Sequence, residues 1–173
     1  MRFKFLSVLA AVALLAACET APESSGNAQS SGASSSTTST SNAATSAVQI
    51  QAGSQEDLVV NVGDRVFFGF DSADLSAEAR TALEKQAAWM KKFGGVRVVI
   101  EGHCDERGTR EYNLALGERR ANATKDYLVA LGINPARIKT ISYGKERPAA
   151  LGHNEAAWAQ NRRGVTVVDS TGS

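Results

Sequence analysis

The residues best suited to chemistry lie in Gly102-His103-Cys104-Asp105-Glu106-Arg107-Gly108-Thr109, followed by Asn113 and then Gly117-Glu118-Arg119-Arg120-Ala121-Asn122. Asp105 and Arg120 stand fifteen positions apart, one anionic and one cationic. A carboxylate pairs with an ammonium, and a guanidinium forks onto a carboxylate through two parallel hydrogen bonds. A fold that brings these two side chains to one cleft suits a zwitterionic ligand. The same pair could instead close on itself as an internal salt bridge pinning a loop to a helix, and spacing alone leaves both readings open.

Other chemistry is poorly served. His103, Cys104 and Asp105, with His153, contain zinc-ligand and Cys-His residue types, but three consecutive residues at a strand end alternate between faces and cannot converge on one ion. There is no Ser-His-Asp arrangement and no phosphate-binding glycine loop. No cofactor is implied. A count of 19 Lys and Arg against 18 Asp and Glu gives no concentrated basic charge of the kind nucleic acid needs.

The pattern predicts elements that would position the charged pair. A strand is expected over 66–70, then a helix from the N-cap Ser76 to residue 93, with Ala79, Leu83, Met90 and Phe93 at helical spacing and Gly94-Gly95 as the stop. A β-branched strand follows over 96–101, then a helix over 111–131 ending at Gly132. Strands over 138–143 and 164–168 flank a short helix over 155–160. This βαβαβ(α)β order indicates a two-layer α/β sandwich. On a wheel of about 100° per residue, Leu114, Gly117, Ala121, Thr124, Leu128 and Leu131 share the face expected to pack on the sheet. Asn113 faces inward, Arg120 falls on the border of that face, and Arg119 points nearly opposite, to solvent.

The N-terminal part reads as an address and a tether. Arg2 and Lys4 precede an uncharged run from Phe5 to Ala17, about thirteen residues and too short to span a hydrocarbon core of roughly 30 Å. Residues 1–17 are therefore expected to be a signal peptide. The run closes on Leu15-Ala16-Ala17-Cys18, which resembles a lipobox, with Cys18 as the lipidated mature N-terminus; an ordinary cleavage site beside a chance cysteine is the bland alternative. Up to three acyl chains there would make membrane attachment effectively permanent. Residues 18–55 are rich in Ser, Thr and Ala and cannot bury enough apolar surface to offset the entropy of ordering. A flexible, disordered tether of about 35 residues would span roughly 30–35 Å; a tail without function has the same composition. Residues 56–173 remain for one folded domain. With Cys18 acylated, Cys104 is the only other thiol, so no intramolecular disulfide forms, and the lone cysteine is expected to be buried.

Residue for residue, 102–122 resembles the peptidoglycan-binding segment of the OmpA-like C-terminal domain family, most closely in its lipid-anchored members. Phe67-Phe68-Gly69-Phe70-Asp71, Ser142-Tyr143-Gly144-Lys145-Glu146-Arg147-Pro148, Leu151-Gly152-His153-Asn154-Glu155 and Asn161-Arg162-Arg163 extend the likeness across 66–168. The resemblance implies a mixed four-stranded sheet and a non-enzymatic role. It implies that Asp105 and Arg120 hold meso-diaminopimelate of the peptidoglycan stem peptide, with Asn113, Phe70, Asp71, Arg107 and Leu116 as further contacts. Phe70 is also expected to be partly core. Outer-membrane attachment with the domain facing the periplasm, TolB and other Tol proteins as partners, and a part in envelope constriction at division are further implications. A general lipoprotein anchor without a Tol role, or a peptidoglycan-modifying enzyme, are the competing readings.

Overall fold

The computed structural model describes residues 49–169; the signal segment, Cys18 and nearly all of the expected tether lie outside the described residues. The elements are α1 (Gln55–Asn61), β1 (Arg65–Phe67), α2 (Ala77–Lys92), β2 (Val98–His103), α3 (Arg110–Ala130), a 3-10 turn (Pro135–Arg137), β3 (Ile138–Gly144), α4 (Glu155–Asn161) and β4 (Arg163–Val168). The four strands form one mixed sheet in the order β1-β4-β2-β3. β4 runs antiparallel to both its neighbours, and β2 and β3 run parallel.

Caps set the helix boundaries. Ser54, Ser76, Thr109 and Asn154 each accept a hydrogen bond from a backbone N–H in the first turn of the helix they precede. The last turn of α2 is closed from a distance: the Arg137 guanidinium donates to the carbonyls of Met90, Phe93 and Val96, all within 2.9 Å. Leu58, Val66, Phe68, Leu83, Met90, Val98, Ile100, Ala121, Leu128 and Ile138 make the core between the helices and the sheet. Polar groups that enter it are paired. Gln86 donates to the Gly63 carbonyl and accepts from the Thr166 hydroxyl, at 2.9 and 2.8 Å.

Several boundaries differ from expectation. α1 was not anticipated, and its cap Ser54 and first residue Gln55 fall in the stretch assigned to the tether. It is a single short helix held by tertiary contacts: Leu58 is fully buried, and the Asp57 carboxylate accepts from Gly53 N, Trp89 Nε1 and Asn61 Nδ2, which hold its pKa below the usual carboxylate value. β1 is shorter than 66–70 because Phe68 and Gly69 turn their carbonyls to the guanidinium groups of Arg162 and Arg120. Phe70 is exposed, and Phe68 is the core aromatic.

The sheet-facing side of α3 is Asn113, Leu116, Gly117, Arg120, Ala121, Thr124 and Leu128. Leu114 is half exposed and lies off that face. Arg120, expected at its border, is fully buried. Apolar residues alone misplace the centre of a helix face whose buried set includes Asn, Arg and Thr.

Candidate functional site

Two glycines bring α3 onto the end of β2. A Cβ on Gly102 would lie 1.8 Å from the Gly117 carbonyl oxygen, and a Cβ on Gly117 would lie 2.3 Å from Ser142 Oγ. Helix and sheet therefore meet backbone to backbone here. The Ser142 hydroxyl adds a 2.6 Å hydrogen bond to the Leu114 carbonyl. This approach sets Asn113, Leu116 and Arg120 beside the point where β2 ends.

At that point the parallel register between β2 and β3 slips after Gly102, and the chain leaves the sheet as the loop that leads to Thr109. The loop is tied to the helix by Asn113, whose side-chain amide donates to the carbonyls of Arg107 and Thr109 at 2.7 and 3.0 Å. Asp105 closes the loop on itself by accepting from Arg107 N at 3.1 Å.

Arg120 is held by three backbone carbonyls: Nε donates to Ser72 at 2.8 Å, Nη1 to His103 at 2.8 Å and Nη2 to Gly69 at 3.0 Å. Burial lowers its pKa, yet a guanidinium stays charged at any physiological pH. Of its five N–H groups, two remain beyond these three carbonyls, beside the Cys104 thiol on the wall of the cleft that Arg120 lines. The internal Asp105–Arg120 salt bridge raised from spacing is not how these groups are held.

Asp105 is 5% exposed. It accepts from Arg107 Nε at 3.1 Å, Arg107 Nη2 at 2.5 Å and Arg162 Nη1 at 3.4 Å. Burial pushes its pKa up, but the Arg107 and Arg162 hydrogen bonds outweigh that and hold the carboxyl below its usual value. Arg107 lies between two aromatic rings, 4.1 Å from the Phe70 centroid and 4.0 Å from that of Trp158. Trp158 Nε1 is in turn fixed to Glu106 at 2.9 Å, and Glu106 also holds His153 Nδ1 at 2.7 Å.

The resulting cleft has an accessible volume of about 140 Å³. Phe70, Asp71, Asp105, Arg107, Asn113, Leu116 and Arg120, the seven residues singled out from the sequence, all line it, together with Cys104, Gly108 and Tyr112. Asp71 has a φ of 51°, a left-handed conformation uncommon for a residue with a side chain, and accepts a short hydrogen bond from the Tyr112 hydroxyl. Arg119 is exposed and approaches Tyr112, its guanidinium 5.8 Å from the ring.

Cys104 is buried, its Sγ 3.3 Å from the Asn113 carbonyl, and burial raises its pKa. His103 lies on the opposite side of the sheet, 5.5 Å from the Tyr143 ring, and so does not converge with Cys104 and Asp105. It is 1% exposed and neither ring nitrogen makes a hydrogen bond of good geometry; Nε2 stands 3.4 Å from a Glu101 oxygen, and the Arg147 backbone is the other polar neighbour. Among the described residues, no group of three or more His, Cys, Asp or Glu could hold a metal ion.

Tyr112, Trp158 and Arg162 were missed as parts of this arrangement. Arg162 lies in the Asn161-Arg162-Arg163 motif, but nothing in its local pattern pairs it with a carboxylate 57 positions away. The arrangement presents two guanidinium groups, two carboxylates and an aromatic rim in a small cleft, which fits a short ligand carrying both charges.

A sequence profile of the OmpA family matches residues 67–162. The peptidoglycan-associated lipoprotein of Rhizobium meliloti is 56% identical over 121 residues, covering 70% of this chain and 69% of that protein. The peptidoglycan-associated lipoprotein of Pseudomonas aeruginosa is 42% identical over 160 residues, 92% of this chain and 93% of its own. The crystal structure of the peptidoglycan-associated lipoprotein from Burkholderia pseudomallei matches with a TM-score of 0.60 and 44% identity, covering 61% of this chain and 90% of that one. The C-terminal domain of Helicobacter pylori MotB, at 21% identity and a TM-score of 0.58 over 62% of this chain and 84% of its own, shares the fold.

Proposed function

This chain belongs to the OmpA family, and from that premise we propose that it binds peptidoglycan noncovalently and ties it to the outer membrane. The observation that carries the proposal is the cleft in which Asp71 and Asp105 stand with Arg107 and Arg120, beside Asn113, Leu116 and Phe70. Meso-diaminopimelate in the stem peptide presents an ammonium and a carboxylate on one side chain. The acidic wall of the cleft receives the ammonium, and the two remaining N–H groups of Arg120 receive the carboxylate. The relatives whose names describe association with peptidoglycan support this reading.

The anchor and its setting complete the proposal. Residues 1–17 direct export, Cys18 carries the lipid, the stretch from there to Ser54, the cap of α1, is the tether, and the domain from α1 onward is the wall-binding part in the periplasm. TolB and the other Tol proteins are the proposed protein partners, with a role in envelope constriction at division; a lipoprotein anchor working without them differs only in that partner. Binding, not bond cleavage, is the activity. The test uses purified full-length protein and two kinds of sacculi. Those with diaminopimelate should retain it, those with lysine should retain it poorly, and neither should release soluble muropeptides on long incubation. Indifference to the side-chain carboxylate would remove the two-charge site, and released fragments would make the protein an enzyme. Pull-down from envelope extracts that recovers peptidoglycan but no TolB would leave the general anchor.

A further inference from the structure

We infer that Arg107 sets ligand choice in the cleft, as an internal cation that the ligand must displace. The inference rests on the diamino-acid reading of the site. A carboxylate offers about four lone-pair positions. Asp105 already has four donors on it: Arg107 N and Nε on Oδ1, both at 3.1 Å, then Arg107 Nη2 at 2.5 Å and Arg162 Nη1 at 3.4 Å on Oδ2. An incoming ammonium finds no vacant position.

Of the two arginines, Arg107 is the one free to yield. Arg162 has a side chain 8% exposed and is also bound to the Phe68 carbonyl at 3.1 Å and to Glu155 at 2.6 Å. The Arg107 side chain is 31% exposed at the cleft, and its guanidinium is held independently of Asp105 by the rings of Phe70 and Trp158. Those rings keep the cation at the cleft after Asp105 lets it go. Trp158, on α4 and fixed through Glu106, is thus a positioning residue for Arg107.

Binding is then an exchange of ion pairs. The ligand ammonium takes Asp105, and the displaced Arg107 guanidinium takes the ligand carboxylate together with Arg120, so every charge ends paired. A ligand with the ammonium alone displaces Arg107 and leaves it only the weaker pull of Glu155 and Glu106 in place of a hydrogen-bonded carboxylate. One with the carboxylate alone leaves the Asp105–Arg107 pair undisturbed and engages only Arg120. Arg107 therefore penalises either half of the zwitterion, which is the repulsive element that specificity requires.

The test measures binding of L-alanyl-γ-D-glutamyl-meso-diaminopimelate and of L-alanyl-γ-D-glutamyl-L-lysine to the full-length protein in detergent by calorimetry. The unaltered protein should prefer the first by about tenfold or more. Arg107→Gln should narrow the preference to about threefold or less, by tightening the lysine peptide as well as weakening the other; Arg107→Met serves if the first variant does not fold. Trp158 emission should change on saturation with the diaminopimelate peptide and lose that change in Trp158→Phe, where Trp89 is the only indole left. An Arg107 variant that keeps the original preference, a lysine peptide that weakens in step with the other, or a silent Trp158 overturns the inference. Failure of the unaltered protein to bind either peptide overturns the diamino-acid reading itself.

Discussion

Replacing His103 by Leu should remove most of the loss of stability between about pH 6.5 and pH 5 while leaving the stability at neutral pH to change by packing alone. His103 is buried with no hydrogen bond of good geometry at either ring nitrogen, and its surroundings are Glu101 on its own strand, Tyr143 on β3, the Arg147 backbone and side chain in the loop beyond and Arg163 on β4. Burial, with the Arg163 and Arg147 charges adding to it and a backbone hydrogen bond with Arg147 working against it, lowers its pKa from 6.5 to about 4. The folded protein thus keeps the ring neutral where the unfolded chain protonates it. Stability from this group is complete above about pH 6.5 and is withdrawn as the pH falls toward about 4. At about 1.36 kcal/mol per pH unit, the full withdrawal is about 3 kcal/mol, of which about 2 kcal/mol is gone by pH 5. Urea unfolding followed by circular dichroism at pH 7.5, 6.5, 5.5 and 5 gives the slope for the parent and for His103→Leu. The comparison matters more than either slope, because carboxylates such as Asp57 and Asp105, held below their usual values, lose their contribution at lower pH in both proteins. Parallel slopes would refute the reasoning.

Arg120→Ala should lower affinity for sacculi about ten- to a hundredfold, the equivalent of about 1.5–3 kcal/mol for a charged hydrogen bond, and should also destabilise the domain because three carbonyls lose their donor. Arg119→Ala, measured in the same sedimentation assay, should change little; equal losses would mean that α3 faces the cleft differently. Gly102→Ala should exceed the usual overpacking cost of about 1–3 kcal/mol, since its Cβ meets a backbone oxygen that cannot rotate away, and a melting temperature within a degree or two of the parent's would contradict that close approach. Cys18→Ser should yield unprocessed precursor or soluble periplasmic protein on cell fractionation; normal processing to the outer membrane would dismiss the lipid anchor.

The layers of the fold were legible because long periodic segments declare themselves. α2, α3 and the β-branched strands follow from spacing, stops and caps, and the boundaries moved by only a few residues. What sequence could not supply was contact made at a distance. α1 depends on Trp89, 32 positions away, to satisfy Asp57. β1 stops early because Arg120 and Arg162 capture the carbonyls that would have extended it. The wheel for α3 found Arg119 outside but put Arg120 too near solvent, since counting apolar residues ignores an arginine whose donors are met by carbonyls. In the cleft, the family resemblance named seven residues that line it, while the state of Asp105, bound by Arg107 and Arg162 and not by Arg120, required the fold. Tyr112 and Trp158 carry no local signal that distinguishes them from ordinary amphipathic helix residues.

The clasp between α1 and β4 has a mechanical meaning. Gln55, the first residue of α1, accepts from Val168 N at 2.7 Å and reaches the Thr166 carbonyl, at the far end of β4 from Arg162 and Asp105. The part of a pull between the chain that leads into α1 and a ligand held in the cleft that Gln55 transmits is directed along β4 and β2, whose antiparallel ladder runs from Val98↔Val168 to Gly102↔Gly164. Such a pull loads the rungs of that ladder in shear, all sharing the force at once, and does not unzip them one at a time from an end. The central pair of the sheet thus acts as the tension member of the domain, with its two grips at opposite ends.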